Sequence, residues 1–171
     1  MFPNAEIIGI DIRDQNPFVL KHIEKLGYSD RVKVHYNVSQ SDHGKINTII
    51  DSAWGREWVD VVIDDASHIY DLSVATFDCL FPRVAPHGHY CLEDWGWAHW
   101  PGFAGALLKT GSRTLSSMVL ELVMACAGYK DIIAEVRVQS AIAFVQRGTA
   151  PPLPFRQLVR LNGDNLVWRG L

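Results

Sequence analysis

Residues 59–65, VDVVIDD, set a nearly unbroken apolar run directly before two adjacent carboxylates, and His68 follows three residues later. A run this short and this rich in β-branched residues reads as a strand buried on both faces, as in parallel sheets covered by helices. The rest of the chain fits such a sheet. AEIIGIDIRD, bounded by Pro3 and Asn4, reads as a strand, as do RVKVHYNV and GHYCLEDW. IAEVRVQSAIAFVQRG reads as two strands joined by a tight turn. Between these segments lie helix patterns: NPFVLKHIEKLGYSD with a stop near Gly27, and GKINTIIDSAW. DLSVATFDCLFPRV is a helix with Asp71 able to cap its start and Pro82 near its end. GSRTLSSMVLELVMACAGY is a longer helix, capped by Ser112 or Thr114 and stopped at Gly128. Strands alternating with helices predict an α/β fold built on a mostly parallel sheet with helices on both faces. The tail, LVRLNGDNLVW, carries an Asn-Gly-Asp turn signal and is expected to form a final hairpin.

A chain of 171 residues has room for one domain, taken here as residues 1–171. Its net charge of −3 gives no basic footprint for nucleic acid or an anionic membrane. No apolar run is long enough to span a bilayer, and the first residues lack the layout of a signal peptide. The three cysteines, Cys79, Cys91 and Cys126, are widely spaced and odd in number, so they read as reduced core residues. A cytoplasmic protein is the expectation.

In open α/β sheets ligands bind beyond the carboxyl ends of the strands. Asp11, Asp64, Asp65, Glu93 and Asp94 each end a predicted strand, so they are expected on one rim. Carboxylates held together repel, and the cluster needs a cation, a shared proton or water. Asp65, Glu93 and Asp94 offer oxygen ligands suited to Mg²⁺. The plainer reading is a set of solvated strand-end acids, with Asp65 or Asp94 capping the next helix and Asp64 accepting backbone amides. His68 is placed to act as a general base beside an ion, although a lone histidine is more often a surface or core residue. Asp11 is placed to accept ribose hydroxyls; a cap for the helix after it is the alternative. Trp95, Trp97, His99, Trp100 and Phe103 crowd the segment after Asp94. Indole faces suit sugar CH faces, subunit interfaces and cores alike.

IDDASH followed by FDCLFPRVAPHGHYCLEDWGWAHWPGFAG resembles the metal-dependent sugar O-methyltransferases of macrolide biosynthesis, which carry a DDGSH segment, a LFPxL-x-GG turn and an ED pair before a tryptophan-containing stretch. The resemblance is closest over residues 59–105 and looser toward the cephalosporin hydroxylase group and mycobacterial sugar methyltransferases. It implies the Rossmann-like class I methyltransferase fold, with S-adenosylmethionine and Mg²⁺ as cofactors. It further implies that Asp65, Glu93 and Asp94 bind the metal and that His68 is the catalytic base. Asp11, Ser39, Gln40 and Asp64 fall on the cofactor side, with Ser39 where the family has an aspartate. Trp95, Trp97, His99 and Trp100 fall on the acceptor side, the acceptor being a small glycosylated molecule or an oligosaccharide. Ala66 and His87 stand where the family has glycine, which is tolerable provided φ is negative at both. The family's first strand and glycine-rich loop precede the segment matching AEIIGID, so the fold is expected to lack them here. A homo-oligomer stays open, as does a non-catalytic scaffold or partner subunit of the same fold. A metal-dependent hydrolase would leave Asp11 without a role, and an iron oxygenase lacks a recognisable triad of two histidines and one carboxylate.

Overall fold

The computed structural model describes residues 4–55, 58–102 and 113–159. Phe103, Ser112 and the tail hairpin lie outside them. The chain divides into two compact units, residues 1–56 and 57–171.

In the first unit β1 (Ile7–Ile10) pairs in parallel with β2 (Val32–His35) through α1 (Pro17–Lys25), and α2 (His43–Trp54) follows. The local chemistry explains the element ends. The Asn16 side chain accepts the Phe18 amide and caps α1, with Pro17 at its first position. Gly27, at φ +71°, turns the chain after it. The Asp42 side chain accepts the Lys45 amide and caps α2, which buries Ile46 and Ile50.

The second unit holds a four-stranded sheet in the order β3-β4-β6-β5: β3 (Val59–Asp64), β4 (Val84–Glu93), β5 (Ile133–Val138) and β6 (Ile142–Arg147). β3 and β4 run parallel and are joined by α3 (Tyr70–Leu80) and a 3₁₀ turn (Phe81–Arg83). α4 (Leu115–Gly128) leads into β5, and a helical turn α5 (Phe155–Leu158) closes the unit. β6 is antiparallel to both of its neighbours. The sheet is therefore mixed, because a connection as short as residues 139–141 can only reverse the chain.

Alternate residues of the strands, Val62, Tyr90, Leu92, Ala143 and Val145, pack with α3, α4 and α5 in one core. Phe77 is its hub: its ring stacks on Phe81 at 4.4 Å and meets Tyr90 and Phe155 edge-on at 5.1 and 5.7 Å. The run in β3 is buried on one side only within this unit. Val61 and Ile63 remain 50% and 61% exposed, since the described helices of the unit pack on the face carrying Val62.

Two expected caps differ. α3 starts at Tyr70 with Ile69 at its N-cap, so Asp71 lies in the first turn rather than at the cap. Thr114 does cap α4 in position, but its hydroxyl meets Ser116 Oγ rather than a backbone amide. The glycine replacements divide as well. Ala66 keeps a negative φ, whereas His87 adopts φ +68°. Beside it, Gly88 is required by space, because a Cβ there would sit 2.6 Å from the Asp60 carbonyl oxygen. Relief of the left-handed conformation outweighs the added freedom of glycine in the unfolded chain. His87→Gly is therefore expected to stabilise the fold by roughly 0.5–1 kcal/mol, seen as a higher urea midpoint at unchanged slope.

Candidate metal and methyl-transfer site

β3 and β4 are parallel neighbours, and Asp64 pairs with Leu92 in their ladder. Asp65 and Asp94 thus leave the sheet on the same rim. Each chain then turns sharply, through His68 at φ +55° and Asp94 at φ +49°. Neither is glycine, and such conformations cost about 1 kcal/mol each unless the surroundings hold them. The surroundings do. The Asp94 amide donates to the Ala141 carbonyl, and the Trp95 indole donates to the Gln139 carbonyl at 2.8 Å, so the β5–β6 turn fixes the Asp94 loop. On the other side Asp64 accepts the Ala66 amide and the Tyr90 hydroxyl, the latter at 2.8 Å.

One ligand atom from each of Asp65, His68 and Asp94 lies within 4.8 Å of the other two. His68 Nε2 is 3.8 Å from Asp65 Oδ1. Among the described residues no other group of histidine, cysteine, aspartate and glutamate comes this close. Two ligands on opposite sides of one Mg²⁺ are about 4.2 Å apart. The carboxylates of Asp65 and Asp94 therefore fit a hard divalent ion with little movement. Glu93 is outside this triangle. It ends β4 on the face that Cys91 shares, where burial, joined by the Glu93 charge, raises the Cys91 thiol above its ordinary range.

Asp64, the last residue of β3, turns inward and is only 5% exposed. Burial raises its carboxyl above the ordinary value, against the opposing pull of Tyr90, Ala66, His68 and Ser73. A raised folded pKa means that the native state binds the proton more readily than the unfolded chain. The stability tied to that proton is complete below pH 3.8 and is lost as pH rises through the folded value. Asp64→Asn, which mimics the protonated form, is expected to be more stable than the parent at pH 7. That advantage should shrink toward pH 4, as read from urea midpoints at the two pH values.

The aromatic residues after Asp94 separate into two kinds. Trp95 and Trp97 are partly buried and their indole nitrogens are committed, Trp97 to the His68 carbonyl at 3.2 Å. His99 and Trp100 are exposed; His99 Nε2 meets Ser116 Oγ at 2.8 Å. A network that residue patterns did not reveal lies behind the site. Tyr70 donates to Glu121 at 2.7 Å, and Arg113 bonds to Glu121 and lies over the Tyr70 ring. Glu121 is buried, and its nearness joins burial in pushing the Tyr70 hydroxyl far above its usual range.

In the first unit Asp11 follows β1. Its amide donates to the His35 carbonyl, its carbonyl accepts the Val38 amide, and Oδ1 accepts the Arg13 amide at 2.9 Å. Its other carboxylate oxygen has no partner among the described residues, which leaves an acceptor of the kind a ribose hydroxyl needs. Ser39 Oγ meets Ser41 Oγ at 2.9 Å, so its hydroxyl serves the local turn, with Gln40 next to it.

No protein-family model matches the chain. Curated relatives do. A mycinamicin VI 2''-O-methyltransferase of Micromonospora griseorubida is 32% identical over 161 residues, which is 86% of this chain and 37% of the relative. An 8-demethyl-8-alpha-L-rhamnosyl tetracenomycin-C 2'-O-methyltransferase of Streptomyces olivaceus is 36% identical over 106 residues, 61% of this chain and 24% of the relative. The solved structure of the MycE methyltransferase from the mycinamycin biosynthetic pathway, in complex with Mg and SAH, superposes with a TM-score of 0.62 at 31% identity. That match covers 90% of this chain and 40% of MycE. The chain thus spans less than half the length of the relatives it matches. No helix of the described residues is long and apolar enough to cross a membrane.

Proposed function

From kinship with the macrolide and tetracenomycin sugar O-methyltransferases, the group to which this chain belongs by sequence and fold, we propose that the protein takes part in S-adenosylmethionine- and Mg²⁺-dependent methylation of a sugar hydroxyl on a glycosylated metabolite or oligosaccharide. The observation that carries this is the meeting of Asp65, His68 and Asp94 at the ends of two parallel strands. On this reading residues 1–171 belong to one methyltransferase-like domain.

The ion supplies the positive charge that lowers the pKa of an alcohol, and S-adenosylmethionine supplies an electrophilic methyl group. Asp65 and Asp94 would hold the ion with hard oxygen donors, with Glu93 next to Asp94 in the chain. His68 would be left free of the ion, because Mg²⁺ prefers oxygen to imidazole nitrogen. Its Nε2 takes the hydroxyl proton, and the Asp65 carboxylate beside it favours the imidazolium that results. Asp11 would accept from a ribose hydroxyl of the cofactor, and Ser39 and Gln40 would lie on the cofactor side. Asp64 supports the site from beneath by fixing the Ala66 amide. His99 and Trp100, exposed beside the Asp94 turn, offer a ring face and a polar edge to the acceptor sugar.

The test is transfer of a labelled methyl group from S-adenosylmethionine to a glycosylated macrolide whose sugar carries adjacent free hydroxyls. Transfer is expected with Mg²⁺ and is expected to vanish in EDTA. Equal rates with and without EDTA, or no transfer at any Mg²⁺ concentration, would overturn the reading.

A further inference from the structure

Trp97 touches both halves of the site through their main chains. Its amide donates to the Asp94 carbonyl at 3.0 Å, and its indole donates to the His68 carbonyl at 3.2 Å. Its ring lies 6.2 Å from the His68 ring at an interplanar angle of 56°. The two residues it ties are the two that hold left-handed backbones at this rim.

This arrangement bears on where the imidazole points. At φ +55° His68 projects its ring differently from any ordinary helix or strand residue, and the conformation is disfavoured on its own. The Ser67 hydroxyl accepts the Ile69 amide and the Ile69 carbonyl accepts the Ser73 amide, so the chain is held on the far side of His68. The Asp64 carboxylate holds it on the near side at Ala66. The carbonyl of His68 itself is held by the Trp97 indole. Without that bond the peptide after His68 keeps the 3.3 Å contact of the Ile69 amide with the Ser67 hydroxyl but loses the hold on its carbonyl, so the left-handed backbone that sets the direction of the imidazole is less firmly fixed.

We propose that Trp97 is a positioning residue: its indole N–H locks the left-handed backbone of His68 and so aims the imidazole at the acceptor hydroxyl. This rests on His68 being the proton acceptor, and it assigns Trp97 to the catalytic geometry rather than to sugar stacking.

Two measurements test it. In the ¹⁵N-labelled chain without metal, the Trp97 indole N–H should exchange with solvent far more slowly than that of exposed Trp100. Trp97→Phe should speed amide exchange at residues 66–69 while leaving strand amides of β4 unchanged. In methyl transfer Trp97→Phe should lower kcat about 10- to 100-fold with KM for the acceptor unchanged. It should cost nothing further in a His68→Ala background, since it acts through that residue. A Trp97 indole that exchanges as fast as that of Trp100 overturns the proposal. So does Trp97→Phe turning over like the parent while His68→Ala retains only a small residual rate. Full turnover by His68→Ala instead overturns the role of His68 on which the proposal stands.

Discussion

Asp94→Asn is expected to lower methyl transfer about a thousandfold and to weaken divalent-ion binding while the protein stays folded. The change keeps the size and shape of the side chain and removes one negative charge. Only the carboxylates of Asp65 and Asp94 within the triangle offer charged oxygen to a hard cation, so the loss takes away half of the site's anionic donors. An amide oxygen is a poorer ligand, and an ion held by one carboxylate keeps more of its water. The loss should be recovered in part at high Mg²⁺ concentration, since it enters through occupancy as well as through charge. Stability should hardly change, because the backbone at Asp94 is held by the Ala141 carbonyl and not by the side chain. Asparagine also tolerates the left-handed conformation found there. Manganese binding followed by electron paramagnetic resonance, together with labelled-methyl transfer, reads both effects. An Asp94→Asn protein that binds manganese and transfers methyl groups like the parent would remove the metal from the site.

Phe77→Ala is expected to destabilise the second unit by about 3–5 kcal/mol. Phe77 is fully buried and its ring meets three other rings, Phe81, Tyr90 and Phe155. Truncation removes those contacts and leaves a void between α3, β4 and α5 that no neighbour can fill without leaving its own packing. The effect should reach the site as well. Tyr90, which loses an edge-on partner, is the residue whose hydroxyl holds Asp64. Urea unfolding measures the loss. Phe77→Leu, which keeps most of the volume, should restore a large part of it.

The strand ends were legible in the sequence for a simple reason. Each of these apolar runs breaks off at an acid that marks where the chain leaves the sheet, as at Asp11, Asp64 and Glu93. The caps at Asn16 and Asp42 came only from the structure, whereas the stop at Gly27 is local chemistry and was equally legible. The start of α3 was not. Asp71 has the right chemistry for a cap, but the chain enters the helix two residues earlier, where the Ile69 carbonyl accepts the Ser73 amide and the Asp64–Ser67 turn sets the direction. The condition set for His87, a negative φ, is not met either, since the residue lies at φ +68°. His87 falls where the register of β3 and β4 shifts, between Val84 and His89, and residue type alone does not reveal that shift.

For the acids the sequence specified which residues stand at strand ends, because periodicity and polarity act over a few neighbours. Which of them face one another was decided by the tertiary structure. Register brought Asp65 and Asp94 to His68, and the pleat turned Asp64 under Tyr90 and Glu93 to the face of Cys91. The roles of Trp95 and Trp97 were decided the same way, since the carbonyls they hold, at Gln139 and His68, are 44 and 29 residues away along the chain. Hydrogen bonds across such separations depend on how the strands are paired, and no local pattern of side chains encodes that.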